Sequence, residues 1–464
     1  MSIEDILNSN LTEEAKIAAL KEKSIIVPAW GGKRGLRAEY DPKMHPVMDK
    51  VLYPDIANAD GTYEAQTRIT LDLQRLATKR MTELSVGTPV KRIYSPDNDR
   101  QKEIASYIEA ILTRNRIDTV NNERCSMLFA GCEVLTLWYA VEQRNNTYGF
   151  DAPLKLRCRN FSPMLDDQLY PLFNEYGDMV AMSIGYRRRV GNRMVQFFDA
   201  YTADRHIKWS NGGSSAMTIV EDEKSTLLKI PGIYWWRPTP IWEDTSKIVY
   251  EMEWALSRNG NYLRKNSKPI FAVFSDGIIS YGQEGDEKEG RSVVQFPKGA
   301  TAQYITWSQA VENLKYFITE LRQSFFTQLQ LPDWSYESMK SVAMSGESRK
   351  QLFIDAHLKV RDESGRLIEG FDREVNVIKA FLKTMLPANY HADIDALRVE
   401  NVVSPFVVTE EKDTINTLMT ANGGKPLMSQ RESIENLGWS SNVDRTLQEI
   451  QEQEIADVYE QPHL

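Results

Sequence analysis

The sequence predicts an α+β protein whose helices and strands occupy separate stretches of the chain. Three observations predict it. Helical periodicity runs over about 64–130, period-two alternation replaces it from Val134 to about Ile230, and long helical patterns return after Pro238-Thr239-Pro240. With 464 residues the chain has material for about two to four units. Its 42% hydrophobic and 26% charged residues match a globular balance, which excludes wholesale disorder.

Taken in order, residues 1–60 read as an irregular polar arm. A short helix around Thr12–Lys23 precedes Gly31, Gly32, Gly35, Pro42, Pro46 and Pro54, which break any long period. Between Glu64 and Ser85 a helix is expected from Ile69, Leu73, Leu76, Arg80 and Leu84, and Gly87-Thr88-Pro89 stops it. Two further helices are expected over about 98–114 and 117–130, the first with Asp97 or Asn98 as N-cap. Leu154, Leu156 and Cys158 then alternate with Lys155, Arg157 and Arg159, as in a half-buried strand. Gly191-Asn192 marks a hairpin between Met179–Val190 and Met194–Tyr201, and Asn211-Gly212-Gly213 marks another turn. The expectation is one antiparallel sheet of several strands.

Past Pro240 a helix is expected over about 245–265, with Ile248, Met252, Ala255 and Leu256 on one side. A glycine-punctuated β insert covers about 267–305. A second helix follows, opened by Thr306-Trp307-Ser308-Gln309 as a capping box and carried by Val311, Leu314, Phe317, Ile318, Leu321 and Phe325. Two helices of similar length bracketing a small insert read as a stalk with a knob. After the polar bridge at 333–345, a helical pattern covers about 347–386, roughly 55–60 Å long, with Gly365 and Gly370 as places to bend. A strand around 397–408 and helices near 410–421, 429–437 and 442–459 complete the chain.

The charge balance narrows the function. Fifty-six Lys and Arg face 65 Asp and Glu, a formal net charge of −9, which argues against an unaided reader of duplex DNA. Three cysteines, Cys125, Cys132 and Cys158, form no CxxC pair, so a reducing compartment is expected and a disulfide framework is not. Glu4, Asp5, Glu13 and Glu14 stand where a signal peptide needs a basic start and an apolar stretch. The most apolar run, Val134–Val141, falls far short of the roughly 20 residues that span a bilayer. A soluble protein made in the cytosol is expected.

The search for catalytic chemistry is mostly negative. No GxxxxGK[ST] loop occurs, and Gly31-Gly32-Lys33-Arg34-Gly35 precedes no suitably spaced helix. His45, His206, His357, His391 and His463 lack HxxxH or HExxH spacing. Asp166-Asp167 could hold a divalent ion or simply be solvated. Glu284, Asp286, Glu287 and Glu289 lack calcium-loop spacing and read as a charged hairpin tip or as a docking surface for a basic partner. Arg187-Arg188-Arg189 with Arg193 is the densest basic patch, but alternate strand residues face opposite sides, and contact with DNA or with a neighbouring subunit both remain open. The bridge residues Trp334, Tyr336, Met339 and Lys340 lie in a connector of a length uncommon unless functional. Trp235, Trp236, Trp242 and Trp254, gathered at the start of the stalk, suggest packing between subunits.

This order of elements resembles the tailed-phage portal proteins, built from wing, stem, clip and crown. Four stretches carry the likeness. Thr67–Gln74 ending in Ser85-Val86-Gly87-Thr88-Pro89-Val90 looks like the family's early helix and its stop. Ile230–Trp236 followed by Asp244-Thr245-Ser246 looks like the entry to the first stem helix. Met344-Ser345-Gly346-Glu347-Ser348 resembles the step after the tunnel loop, and Glu410–Gly438 the crown.

The resemblance implies a portal-like α+β fold. An N-terminal arm (1–60) would precede a wing (61–240), a first stem helix (241–266), a β clip (267–305) and a second stem helix (306–331). A tunnel loop (332–346), a long kinked helix with a wing strand (347–408) and a helical crown (409–464) would follow. It further implies a non-enzymatic dodecameric ring at one capsid vertex, assembled in the host cytoplasm, through which double-stranded DNA is packaged and ejected. Trp334, Tyr336, Met339 and Lys340 would line the channel. Glu284, Asp286, Glu287 and Glu289 would dock the terminase large subunit and later the head–tail adaptor. The major capsid protein and scaffold would be further partners, with no metal and no cofactor. The alternatives are another neck or baseplate ring subunit, or a metal-dependent nuclease using Asp166 and Asp167.

Overall fold

The computed structural model describes residues 3–24, 35–57, 61–266, 270–274, 280–281, 294–295, 301–305, 311–333, 353–405, 420, 429–437, 440 and 442–460. Helix α1 (Ile3–Leu7) and α2 (Glu13–Lys23, with Thr12 as its N-cap) come first, then α3 (Leu36–Tyr40) and the short strands β1 (Ile56–Ala57) and β2 (Tyr63–Glu64). The polar reading of this region gives way to packing. Ile6, Leu7, Ile17 and Leu20 are buried against Phe198, Ala200, Ile207 and Trp209, and the Trp209 indole Nε1 donates to Glu13 Oε2 at 2.6 Å.

Helix α4 runs over Leu73–Val86, nine residues shorter at its start than the periodicity predicts. Residues 65–72 are extended instead, because their backbone N–H groups find acceptors outside the segment. Thr67, Ile69 and Leu71 donate to Asn261 Oδ1 (2.5 Å), Ser257 Oγ (2.9 Å) and Glu253 Oε1 (2.8 Å). The helix ends as expected, the Gly87 N–H closing on the Glu83 carbonyl. Strand β3 (Lys91–Ser95) leads into α5 (Asp99–Arg114), whose N-cap Asn98 accepts from the Gln101 amide at 2.9 Å, and then into α6 (Ile117–Gly131).

The strand region forms two antiparallel sheets rather than one. In the first, β4 (Glu133–Val141) lies between β5 (Lys155–Phe161) and β11 (Gly232–Trp236). The second is a meander of β6 (Gln168–Phe173), β7 (Met179–Val190), β8 (Arg193–Tyr201), β9 (Arg205–Ser210) and β10 (Thr218–Lys224). Val190 pairs with Arg193, so Gly191-Asn192 is the two-residue loop foreseen, with Gly191 at φ 59°. One face of the three-stranded sheet meets the five-stranded sheet through Leu135, Phe161 and Tyr234 against Leu169, Met182, Ile184 and Tyr186. Its other face, through Val134, Trp138, Ile233 and Trp235, joins the core of α4, α5 and α6. The sheets split because β4 is buried on both faces and needs a covering layer on each side.

Two stalk helices follow, α7 (Ser246–Asn266) and α8 (Val311–Leu329). The described strands between them are nested antiparallel pairs, β12 (Ile270–Phe274) with β15 (Thr301–Ile305) and β13 (Ser280–Tyr281) with β14 (Val294–Gln295). The capping box at 306–309 lies outside the described residues. Helix α9 spans Ile354–Met385, 32 residues and about 48 Å, and is assigned as helix throughout both glycines. A Cβ on Gly370 would meet the Trp235 ring at 2.0 Å, so that glycine serves close approach of the indole; Gly365 faces open space. After α10 (His391–Ala396), β16 (Arg398–Val402) returns to pair with β3, and α11 (Gln430–Leu437) and α12 (Val443–Glu460) close the chain. The helix expected near 410–421 falls on residues outside those described, save Thr420.

Helix α9 is fixed to α6 by a charge pair in the core. Arg124 of α6 and Glu374 of α9 are both nearly inaccessible and form two parallel bonds of 2.8 Å, while the Trp138 indole donates to Glu374 at 3.0 Å. The Arg124 guanidinium also stacks 4.5 Å from the Trp235 ring and 5.1 Å from Phe371. Trp235 and Trp242 are therefore core residues of one chain, contrary to the expectation of subunit packing; Trp236 and Trp254 are the exposed members. Glu374→Ala strands a buried guanidinium and is expected to cost roughly 3–5 kcal/mol. Denaturant unfolding checks this, and a midpoint within error of wild type contradicts it.

Candidate functional site: the stem and its anchorage

The two stalk helices are held at their wing end by polar contacts. Along α7, Glu253, Ser257 and Asn261 recur every four residues on one face and hold the extended segment 65–72. A strand residue pair and a helical turn advance by similar distances, which keeps the two in register. Glu253 has a second task. Its Oε1 lies 2.6 Å from His45 Nδ1, and His45 Nε2 lies 2.8 Å from the Glu39 carbonyl, with both side chains almost wholly buried. Glu39 in turn accepts from the Trp242 indole at 3.0 Å and from the Ser246 hydroxyl.

The exit of α8 is fixed from three directions. Phe325, Phe326, Leu329 and Leu331 are buried, and Gln330 turns the chain at φ 54°. Arg80 of α4 donates to the Pro332 carbonyl at 2.6 Å, lies 3.7 Å from Asp333 and stacks 5.0 Å from the Phe326 ring. Arg322 of α8 reaches Asp333 at 3.0 Å. Lys359 of α9 donates to the Leu329 carbonyl. Burial lowers the Lys359 ammonium to about 8, helped by Arg237 and opposed by Glu363 and Asp244. Arg237 pairs with Glu363 at 2.8 Å one turn further along α9.

Both stalk helices leave large apolar side chains exposed among the described residues. Tyr250, Trp254 and Leu263 on α7 and Tyr316 and Phe317 on α8 are exposed, Tyr316 by 67%. They do not form one stripe, since Leu263 lies about 180° around α7 from Trp254, but each leaves apolar area open to a further contact.

Trp334, Tyr336, Met339 and Lys340 lie outside the described residues, as do Glu284, Asp286, Glu287 and Glu289. The two aspartates proposed as a cation pair differ in environment. Asp166 sits exposed at φ 64° and pairs with Arg37, while Asp167 is 8% exposed and accepts from the Ser162 amide at 3.1 Å. Burial pushes the Asp167 carboxyl up to about 6. Among the described residues no group of three or more His, Cys, Asp and Glu is placed to hold a metal ion, and no helix is long and apolar enough to cross a membrane. His206 stacks on the Tyr201 ring at 4.2 Å, and burial lowers its pKa. His463 lies outside the described residues. The anchoring residues Arg80, Glu253 and Lys359 were not singled out by chemistry. The one signal was Arg80, a charged residue standing in the apolar stripe of α4.

The His45–Glu253 pair carries a pH dependence. Burial works against the imidazolium, but the bond to Glu253, its charge, the Glu39 carbonyl and Asp41 outweigh it, so the His45 pKa is raised. A raised folded pKa contributes stability fully present below the unfolded value of roughly 6.5 and lost as pH rises through the folded value. Thermal unfolding is expected to show this loss, and His45→Gln to flatten it. An unchanged pH profile in the variant contradicts the assignment.

Comparison with known proteins follows the same lines. The family described as "Phage portal protein, SPP1 Gp6-like" matches residues 34–459. No curated protein sequence matches. Among solved structures, a chain from the neck of an empty gene transfer agent (GTA) particle, computed with C6 symmetry, aligns at 12% identity. It covers 86% of this chain and 95% of that one, with a TM-score of 0.39. A chain from the virion of a native GTA particle aligns at 10% identity over 95% and 100%, with a TM-score of 0.40. One from the neck of a native GTA particle, computed with C12 symmetry, aligns at 11% over 92% and 98%, also at 0.40. The family match covers nearly the whole chain, and on that ground the protein belongs to the phage portal protein family, SPP1 Gp6-like.

Proposed function

We propose that copies of this chain form a closed ring at one capsid vertex, through which double-stranded DNA is packaged and later ejected. The observation that carries this reading is the family match over residues 34–459. The exposed apolar side chains on the two stalk helices support it, since neighbours in a cyclic ring make heterologous contacts that would bury Tyr316 and Leu263. On this reading Trp334, Tyr336, Met339 and Lys340 line the channel. Its net charge of −9 suits a conduit, because each neutralised phosphate adds affinity and would slow sliding. The insert carrying Glu284, Asp286, Glu287 and Glu289 docks the terminase large subunit and then the head–tail adaptor. The capsid protein and scaffold hold the ring in the shell, and ATP hydrolysis belongs to the motor. Twelve subunits are the number the family resemblance implies.

Deleting 334–344 is expected to leave ring assembly intact by native mass while genome-filled heads disappear. Normal filling in that mutant would remove the channel assignment. Reversing the charges of Glu284, Asp286 and Glu287 is expected to weaken capture of motor or adaptor in a pull-down, and unaltered capture of both would reject the docking surface.

A further inference from the structure

We infer that the free edge of β7 over Tyr186–Val190 is an acceptor site for an extended acidic segment of another protein, which adds to the five-stranded sheet in the place that β6 leaves open. The register defines that place. Strand β7 pairs with β8 from Met182 to Val190, but with β6 only as far as Gly185, opposite Gln168. Strand β6 starts there because the chain before it is turned away. The Asp167 amide donates to the Ser162 carbonyl at 3.2 Å, and Asp167 Oδ2 accepts from the Ser162 amide at 3.1 Å. Hydrogen-bond parity then tells which main-chain groups are open. In an antiparallel ladder, residues that turn N–H and C=O to one neighbour alternate with residues that turn them to the other. Val190 and Arg193 close the two-residue loop, so Val190, Arg188 and Tyr186 face β8. Arg187 and Arg189 turn theirs to the open side, where no bond receives them among the described residues. The other edge of the hairpin is capped. There the Gln196 N–H donates to Asn211 Oδ1 at 3.0 Å, and the Gln196 carbonyl accepts from the Asn211 amide at 3.1 Å.

Charged side chains on an open edge can simply discourage strand pairing. Here the edge lies in a walled slot. A cavity of about 820 Å³ is lined on one side by Gly185, Arg187 and Met194 and on the other by Leu36, Met164 and Leu165, a volume typical of ligand clefts. Leu165 and Met194 are 51% and 61% exposed, so the slot offers apolar contacts beside the open ladder. Charge selects the occupant. Residues directly opposite in a ladder share a face, so segment residues across from Arg187 and Arg189 set their side chains beside those guanidinium groups. Arg187, Arg188 and Arg193 are exposed and have no carboxylate within ion-pair distance among the described residues. Arg189 bonds Gly191 O and Asn192 Oδ1, two neutral acceptors that leave its charge in place. The nearby acids do not offset this, since Asp166 pairs with Arg37 and Asp167 is turned to Ser162. The fit is therefore an extended segment with acidic residues two apart, its main chain supplying affinity and its alternate side chains specificity. This reading uses the five-stranded sheet alone and does not rest on the channel or docking assignments.

Fluorescence anisotropy of a labelled Thr-Glu-Val-Glu-Val-Glu-Thr peptide with the full chain tests it. Saturable binding is expected, and none by the same peptide with lysine in place of glutamate. Methylating the backbone nitrogens of the glutamates removes the donors that meet Arg187 and Arg189, and should weaken binding about 10-fold. Arg187→Gln should weaken it about 5-fold. Arg187→Glu should lose the glutamate peptide and gain the lysine peptide. No binding by the wild type overturns the proposal. Equal binding of the methylated peptide does so too, because charge alone then suffices and no strand is added. A native mass lower in Arg187→Glu than in the wild type assigns the edge to a second copy of this chain, and also overturns it. Should Arg187→Glu fail to fold, the three peptides with the wild-type chain decide alone.

Discussion

Arg124 and Glu374 meet inside the protein almost wholly shielded from solvent, and the setting of α9 on the rest of the chain follows from that meeting. Taking two ions out of water costs several kcal/mol each, and a well-packed apolar pair would be at least as stable. What the ions contribute is a unique register. Helix α9 is apolar along its wing side through Leu367, Phe371, Val375, Ile378 and Leu382, and greasy contacts alone tolerate sliding. Only one setting puts the Glu374 carboxylate against the Arg124 fork and the Trp138 indole together, with Gly370 under Trp235. Fifteen residues earlier on the same helix, about 22 Å away, Lys359 then falls on the last carbonyl of α8. The stem exit is thus positioned by a pair far from it.

A second constraint governs the other stalk helix, α7. An extended segment beside a helix has unpaired N–H groups, and a buried unpaired donor costs as much as a lost hydrogen bond. Glu253, Ser257 and Asn261 remove that cost, so a stretch with helical periodicity remains extended from 65 to 72. His45 meets the same Glu253 oxygen that accepts from Leu71 and ties its own segment to the same helix. The stalk helices are therefore held by polar side chains at these contacts, while Tyr250, Trp254, Leu263, Tyr316 and Phe317 along them remain exposed. That division suits a helix pair held by its own chain at one end and by neighbouring chains elsewhere.

Charge is distributed with the same economy. Several arginines between residues 61 and 240 are paired, as Arg124, Arg205 and Arg237 are with Glu374, Asp222 and Glu363. Arg157, Arg159, Arg188 and Arg193 are exposed and form no ion pair among the described residues. Stacking against Phe161 and Tyr186 holds two of these side chains without neutralising them.

Local pattern alone determined the helices at 99–114 and 117–131, the stop at Gly87, the Gly191-Asn192 hairpin, the stalk helices and the α+β class, because periodicity, caps and turn residues act over a few neighbours. The order of those elements also carried the family likeness that the match over 34–459 bears out. Tertiary structure decided the rest. Glu64–Asp72 looks helical until a neighbouring helix supplies its acceptors, and the strands look like one sheet until Trp138 and Leu135 are seen to face different layers. At Gly370 only the fold shows that the Trp235 ring occupies the space a Cβ would fill. Arg124 and Glu374 are 250 residues apart, and nothing in the local sequence of either tells it from a solvated surface charge. Partnership across such distances is a property of the folded chain, because it depends on which faces meet.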